Sequence, residues 1–180
     1  MKRAVFLDRD GVLNRSLVRG GRPYAPTRLE DFELLDDVAE AVDRLRRAGF
    51  MTVVVTNQPD LTTGEQSPEI LDAMHSLLRQ HVAIDDIRVC RHVDADHCEC
   101  RKPKPGLLQA AAVAHGIDLT HSYMVGDRWR DIAAGHAAGC VSLFVDRGYD
   151  EARPEKPDAV VADLPEAAAW ILRHAARRPA

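Results

Sequence analysis

Hydrophobic positions along the chain fall into short solid runs, separated by stretches of helical spacing. Ala4-Val5-Phe6-Leu7, Met51 to Val55, Tyr123 to Val125 and Val141 to Val145 are apolar throughout or nearly so, as strands covered on both faces are. Ile87 to Cys90 is a weaker strand because Arg88 interrupts it, and Ala159 to Val161 is a short sixth. Between the runs the period changes. Val38 to Ala48 sets Val38, Ala41, Val42 and Leu45 on one helical face, with Gly49 as the stop. Ser67-Pro68 reads as an N-cap followed by proline at the first helical position. That helix carries Ile70, Leu71, Met74, Leu77 and Leu78 inward. Pro105 opens a helix that Gly116 closes. Another runs near Arg130 to Ala138 and stops at Gly139, and a terminal one runs from Pro165 to Ala176.

Alternation of this kind predicts an α/β fold: a mainly parallel sheet between two helical layers, Rossmann-like in outline. The 180 residues suit one domain, 1–180, with no internal repeat. In such sheets ligands collect beyond the carboxyl ends of the strands. Asp8 follows the first strand, Thr56 the second and Gly126-Asp127 the fourth, so the polar clusters are expected on one edge.

Composition narrows the function classes. A formal net charge of -4, from 24 basic and 28 acidic residues, argues against a nucleic-acid partner. No apolar run approaches the ~20 residues that span a bilayer. The apolar stretch after Met1-Lys2-Arg3 is too short for a signal peptide, so a cytoplasmic location is expected. The basic tail Arg173-His174-Ala175-Ala176-Arg177-Arg178 reads as a solvated helix end. No heptad seam is present, and a monomer is expected.

Two clusters carry candidate chemistry. Asp8-Arg9-Asp10-Gly11 emerges directly from a buried strand. One carboxylate can act as nucleophile and the other as proton donor. Crowded carboxylates suit Mg²⁺, which prefers oxygen ligands and often shares them with a substrate phosphate. The alternative is a solvated Asp-rich turn. Asp131 can either pair with Lys102 or favour the positive end of its helix. The second cluster, Cys90-x-His92-x5-Cys98-x-Cys100, offers three thiolates and one imidazole, a tetrahedral zinc set. In a reducing compartment such cysteines point to a metal rather than to disulfides. His97 could replace His92, or the segment could be a surface loop with incidental cysteines. Cys140 reads as a small buried apolar residue.

Taken in order, these segments resemble the haloacid dehalogenase (HAD) phosphatase superfamily. Asp8-Arg9-Asp10-Gly11-Val12-Leu13-Asn14 is similar to its first motif and Thr56-Asn57-Gln58 to its second. Arg101-Lys102-Pro103 is similar to the third, and Gly126-Asp127-Arg128-x-x-Asp131 to the fourth. The resemblance implies that Asp8 attacks phosphorus and becomes phosphorylated. It implies that Asp10 protonates the leaving alcohol and then activates water. Thr56 and Lys102 would hold the phosphoryl oxygens, with Asn57 and Arg101 as further phosphate or sugar contacts. Asp8, the backbone carbonyl of Asp10 and Asp127 would bind Mg²⁺. The stretch from Asn14 to Met51 is short, so no large cap domain is expected. The pocket would be open, rimmed by Arg15 to Pro26, Pro59 to Gln66 and Arg91 to Lys104, and would admit a small phosphorylated sugar or metabolite.

The segment Cys90 to Lys102 resembles the zinc loop of D-glycero-D-manno-heptose 1,7-bisphosphate phosphatases, and the histidinol-phosphate phosphatases carry a similar one. Tyr24-Ala25-Pro26, Asp31-Phe32-Glu33-Leu34-Leu35 and Lys104-Pro105-Gly106-Leu107-Leu108 are closer to the heptose enzymes. That resemblance implies heptose biosynthesis, with Cys90, His92, Cys98 and Cys100 holding a structural zinc. Histidinol phosphate is the alternative substrate. One stretch departs. The heptose enzymes continue the second motif with Ser-Gly-Ile-Ala-Arg-Gly, and here Pro59-Asp60-Leu61-Thr62-Thr63-Gly64 follows. Thr63 in place of arginine removes a cation from the pocket rim.

Overall fold

The computed structural model describes residues 1–177, so Arg178 of the basic tail lies outside the described residues. From the N-terminus the chain forms β1 (Arg3–Leu7), a small hairpin of β2 (Leu17–Arg19) and β3 (Arg22–Tyr24), and α1 (Val38–Arg47). It continues through β4 (Phe50–Asn57), the single turn α2 (Asp60–Thr63), α3 (Pro68–His81) and β5 (Asp86–Cys90). The rest is α4 (Gly106–His115), β6 (Tyr123–Gly126), α5 (Trp129–Ala138), β7 (Val141–Val145), β8 (Ala159–Val161) and α6 (Leu164–Ala176). Between β1 and α1 stand only the hairpin and a 3-10 turn at Leu29–Asp31, too little for a cap domain.

Six strands make one parallel sheet in the order β5-β4-β1-β6-β7-β8. The chain builds outward from β1 through β4 to β5, then crosses back to β6 and builds the other way. Strand order therefore reverses beside β1, and a crevice opens there at the carboxyl ends. Alternate residues of the central strands face opposite layers. Val5, Leu7, Val54, Val125 and Leu143 pack with Val42 and Leu45 of α1, Met74 and Leu78 of α3, and Ala168 and Ile171 of α6. Ala4, Phe6, Val53, Val55 and Met124 pack with Leu108 and Ala111 of α4 and Ala134 of α5. Cys140 is buried in this second cluster, as its sequence context predicts.

Helix ends follow local chemistry. The Ser67 hydroxyl accepts the Ile70 N–H at 3.3 Å, and Pro68 opens α3. The hairpin is the element that hydrophobic patterning does not reveal. Gly20-Gly21 is a two-residue turn signal, but its flanking strands have three residues each and one holds Pro23.

Candidate active site and metal centres

Three strand ends deliver the site. Asp8 follows β1, Thr56 lies near the end of β4, and Asp127 follows β6. Lys102 arrives from the loop after β5. Its side chain is 2% exposed, and its ammonium lies 2.8 Å from Asp8 Oδ1 and 2.7 Å from Asp131 Oδ1 and donates to the Val55 carbonyl at 2.8 Å. Asp131 does both things considered for it. Its Oδ1 pairs with Lys102, and its Oδ2 accepts the Arg128 N–H at 3.0 Å, capping α5.

This crowding has a steric condition. A Cβ on Gly126 would lie 2.1 Å from the Asp131 Cβ. Gly11, at φ +85°, would put one 1.8 Å from Asp127 Oδ2. Both glycines let carboxylates close on the backbone.

The electrostatics fit a cation. Asp8, Asp127 and Asp131 can each offer an oxygen within 4.8 Å of the others'. Burial, then Asp131, lift the Asp8 carboxyl to about 6 against the pull of Lys102. Burial, then Asp8 and Asp131, raise Asp127 well above the usual carboxylate range. The Tyr149 hydroxyl lies near enough to favour ionised Asp127, yet both carboxylate oxygens are buried and neither reaches a partner in hydrogen-bond geometry. An orphaned buried carboxylate beside another is a place for a hard divalent ion. Asp131 is already engaged, which leaves Asp8 and Asp127 as the available pair. The Asp10 side chain lines the same cavity, its carboxylate accepting from Arg9, Asn14 and Gln58.

A proton balance follows. Because folding raises the Asp8 carboxyl from 3.8 to about 6, its contribution to metal-free stability is complete below the lower value and is lost as pH rises through the higher. A divalent cation favours the ionised form, so Mg²⁺ binding near pH 6 is expected to release protons. Calorimetric heats that vary with the buffer's ionisation enthalpy will show this; heats independent of buffer would contradict it.

Thr56 is 1% exposed, and its hydroxyl accepts from Gln58 Nε2 at 2.9 Å. Asn57, expected from the sequence as a phosphate or sugar contact, is also tied to the backbone of Lys102. Its Nδ2 donates to the Lys102 carbonyl at 3.1 Å and its Oδ1 accepts the Lys102 N–H at 3.2 Å. It lines the cavity, but its amide clasps the backbone of the lysine.

The second metal set is assembled on the loop after β5. Cys90 Sγ lies 3.3 Å from Cys100 Sγ, 3.8 Å from Cys98 Sγ and 3.5 Å from His92 Nδ1. Cys98 and Cys100 are 3.5 Å apart, and His92 Nδ1 is 3.2 Å from Cys100. Zn–S bonds of about 2.3 Å give tetrahedral S–S edges of about 3.8 Å, close to these separations. Among the described residues His92, and not His97, completes the set. Arg101, next to Cys100 in sequence, is tied to the same loop: its guanidinium donates to the His92 carbonyl at 3.1 Å.

The cavity above Asp8 is about 540 Å³. All three expected rims contribute: Ser16, Arg22 and Tyr24; Pro59 and Asp60; Asp94, Arg101 and Lys102. Arg128 of the fourth motif joins them with Arg130, and so does a segment that the sequence does not announce, Asp150 with Glu151. Nothing in a loop's composition reveals that it folds back over a site. Arg101 and Arg130 converge on Asp94, at 2.8 and 2.9 Å, and Arg128 pairs with Glu151. The pocket therefore keeps arginines although position 63 is Thr63.

A parallel sheet with paired carboxylates and a buried lysine at its switch point is an arrangement suited to binding and transferring a phosphoryl group. Comparisons agree. Residues 99–167 match the HAD-hydrolase-like family model. A D-glycero-D-manno-heptose-1,7-bisphosphate 7-phosphatase of Thermosynechococcus vestitus is 35% identical over 198 residues, covering 97% of this chain and 98% of that protein. The D-glycero-beta-D-manno-heptose-1,7-bisphosphate 7-phosphatase of Escherichia coli K12 is 34% identical over 182 residues, covering 91% and 92%. The crystal structure of D,D-heptose 1,7-bisphosphate phosphatase from B. bronchiseptica, complexed with magnesium and phosphate, superposes with a TM-score of 0.82 at 31% identity, over 97% of this chain and 99% of that one. The chain belongs to the HAD-like hydrolase family that contains these phosphatases.

Proposed function

We propose that this chain hydrolyses the 7-phosphate of D-glycero-D-manno-heptose 1,7-bisphosphate through a phosphoryl group carried on Asp8. The observation that carries the reading is the buried contact of Asp8 with Lys102, braced by Asp131, beside the orphaned carboxylate of Asp127. Asp8, Asp127 and the backbone carbonyl of Asp10 would hold Mg²⁺. When bound, that ion supplies charge neutralisation at the phosphoryl oxygens.

The residues then divide the work. Asp8 attacks phosphorus in line, and Lys102 and Thr56 hold the equatorial oxygens. Asp10 gives a proton to the leaving alcohol oxygen, then takes one from the water that cleaves the acyl phosphate. Asn57 acts on phosphate through the lysine it clasps. Arg101, with Arg128 and Arg130, supplies cations for the second phosphate, a role that Thr63 cannot fill. The chain acts as a single-domain, cytoplasmic monomer on a small soluble metabolite. Among the described residues no helix is long and apolar enough to cross a membrane.

Cys90, His92, Cys98 and Cys100 would hold a structural zinc, and the closed loop would fix Arg101 and Lys102 in place. About one zinc per chain is expected by elemental analysis. Its removal by a chelator should lower kcat and the thermal midpoint together, and zinc, but not Mg²⁺, should restore both. Zinc-free protein with full activity would end this part of the proposal.

The substrate reading is tested by phosphate release with Mg²⁺ from heptose 1,7-bisphosphate, its monophosphates and histidinol phosphate. The largest kcat/KM is expected for the bisphosphate; a preference for histidinol phosphate would overturn it.

A further inference from the structure

Three buried side chains around Asp10 have no part in the scheme above. Arg9 is fully buried. Its Nη2 reaches Asp10 Oδ1 at 2.9 Å and Oδ2 at 3.1 Å, and its Nε reaches Oδ1 at 3.1 Å. Asn14 Nδ2 donates to Oδ1 at 2.9 Å, and Gln58 Nε2 donates to Oδ2 at 2.8 Å. Each donor is itself fixed. Arg9 lies 3.3 Å from His75 Nε2 and over the Phe32 ring. Asn14 Nδ2 also donates to the Arg15 carbonyl, and the Gln58 N–H donates to the Cys90 carbonyl at 2.7 Å.

Gln58 is the informative member. It is fully buried, its Nε2 bridges Asp10 and Thr56, and its Oε1 has no partner. A buried acceptor without a donor costs stability. An apolar side chain of the same length would avoid that cost. Residues that lower stability in this way are found where function needs them.

We propose that Gln58, with Arg9 and Asn14, is a positioning residue that locks the Asp10 carboxylate into one orientation and ties it to Thr56. This rests on the reading of Asp10 as the acid and base. Proton transfer needs the two heavy atoms within hydrogen-bond reach at the moment of bond cleavage. A carboxylate held through both oxygens has one orientation available, and its link to Thr56 keeps it in register with the phosphoryl group. As Asp10 passes its proton to the leaving oxygen, the carboxylate that results is already solvated by these donors, with little reorganisation.

The test is Gln58→Met, similar in length and without the N–H donors or the orphaned acceptor. Two substrates are compared: the sugar phosphate, whose alkoxide needs a proton to leave, and p-nitrophenyl phosphate, whose leaving group hardly does. For the sugar phosphate kcat should fall about 10- to 100-fold with KM within about threefold. The nitrophenol burst should change by less than about threefold, and the thermal midpoint should not fall. An equal loss on both leaving groups, or no loss on either, would overturn the inference. Should the Met variant fail to fold, Gln58→Asn, too short to bridge both partners, faces the same comparison. Asp10→Asn separates the two levels. If it spares sugar-phosphate turnover, the reading of Asp10 fails; if it abolishes turnover while Gln58→Met is silent, only the positioning role fails.

Discussion

Asp8→Asn is expected to reduce turnover by about 10,000-fold or more and to leave the fold intact. An amide oxygen is too weak a nucleophile to take phosphorus, so the covalent route closes entirely. The structural consequence has the opposite sign. Asp8 lies in a cluster where burial and Asp131 work against its charge. Asparagine keeps its shape and removes that charge. Lys102 retains Asp131 at 2.7 Å and the Val55 carbonyl at 2.8 Å. In the metal-free state at pH 8, the variant's thermal midpoint should therefore equal or exceed that of the parent. At pH 4, where Asp8 is mostly protonated, the difference should close. A large loss of stability at pH 8 would mean that Asp8 is held mainly as a structural ion-pair partner.

Lys102→Met is expected to damage both activity and stability. The ammonium stands between Asp8 and Asp131, and burial alone would lower its pKa. The two carboxylates more than reverse that, so the lysine stays protonated. Removing it leaves two buried carboxylates facing each other. Breaking a buried ion pair from one side costs about 3–5 kcal/mol. Urea unfolding of the metal-free protein at pH 8 should show a loss of that order, and the loss should shrink as pH falls; Lys102 holds the Asp8 carboxyl down, so in its absence proton uptake begins above the value of about 6 that Asp8 has beside the lysine. In the loaded enzyme kcat should fall about 100- to 1,000-fold, because a preorganised cation on the transferring group is gone. Asp131→Asn in the same chain should recover part of the stability and none of the rate. Unchanged stability at pH 8 would show that the three groups are not coupled as their distances indicate.

Much of this was legible in the sequence because strands covered on both faces must be apolar throughout. The first charged residues after such a run then mark where the chain emerges. Asp8 and Asp127 stand out in that way, and the alternation of strand and helix puts them on the same sheet edge. Cysteine spacing singles out the second cluster, one that could hold a metal ion, and the fold brings His92 rather than His97 to it. What stays hidden depends on contacts between distant segments. Asn57 reads as a pocket residue, and its clasp on Lys102 spans 45 positions. Arg9 stands between two aspartates in the sequence with nothing to mark it as buried, yet it is fully buried against Phe32 and His75. The loop with Asp150 and Glu151 has no periodicity, and it reaches the pocket because the Asp150 N–H bonds to the Gly21 carbonyl at the hairpin tip. Thr63 suggests a lost rim cation, but Arg128 and Arg130, on a different element, stand in the same cavity.

All of the proposed chemistry depends on a bond between phosphorus and one side chain. The direct test is to mix the protein with Mg²⁺ and substrate, quench in acid within the first turnover, reduce with borohydride and locate the modified aspartate by mass spectrometry. A phosphoryl group at Asp8, formed and lost at rates that match turnover, is the expected result. Full turnover with Asp8 never modified, or modification at another residue, would contradict it.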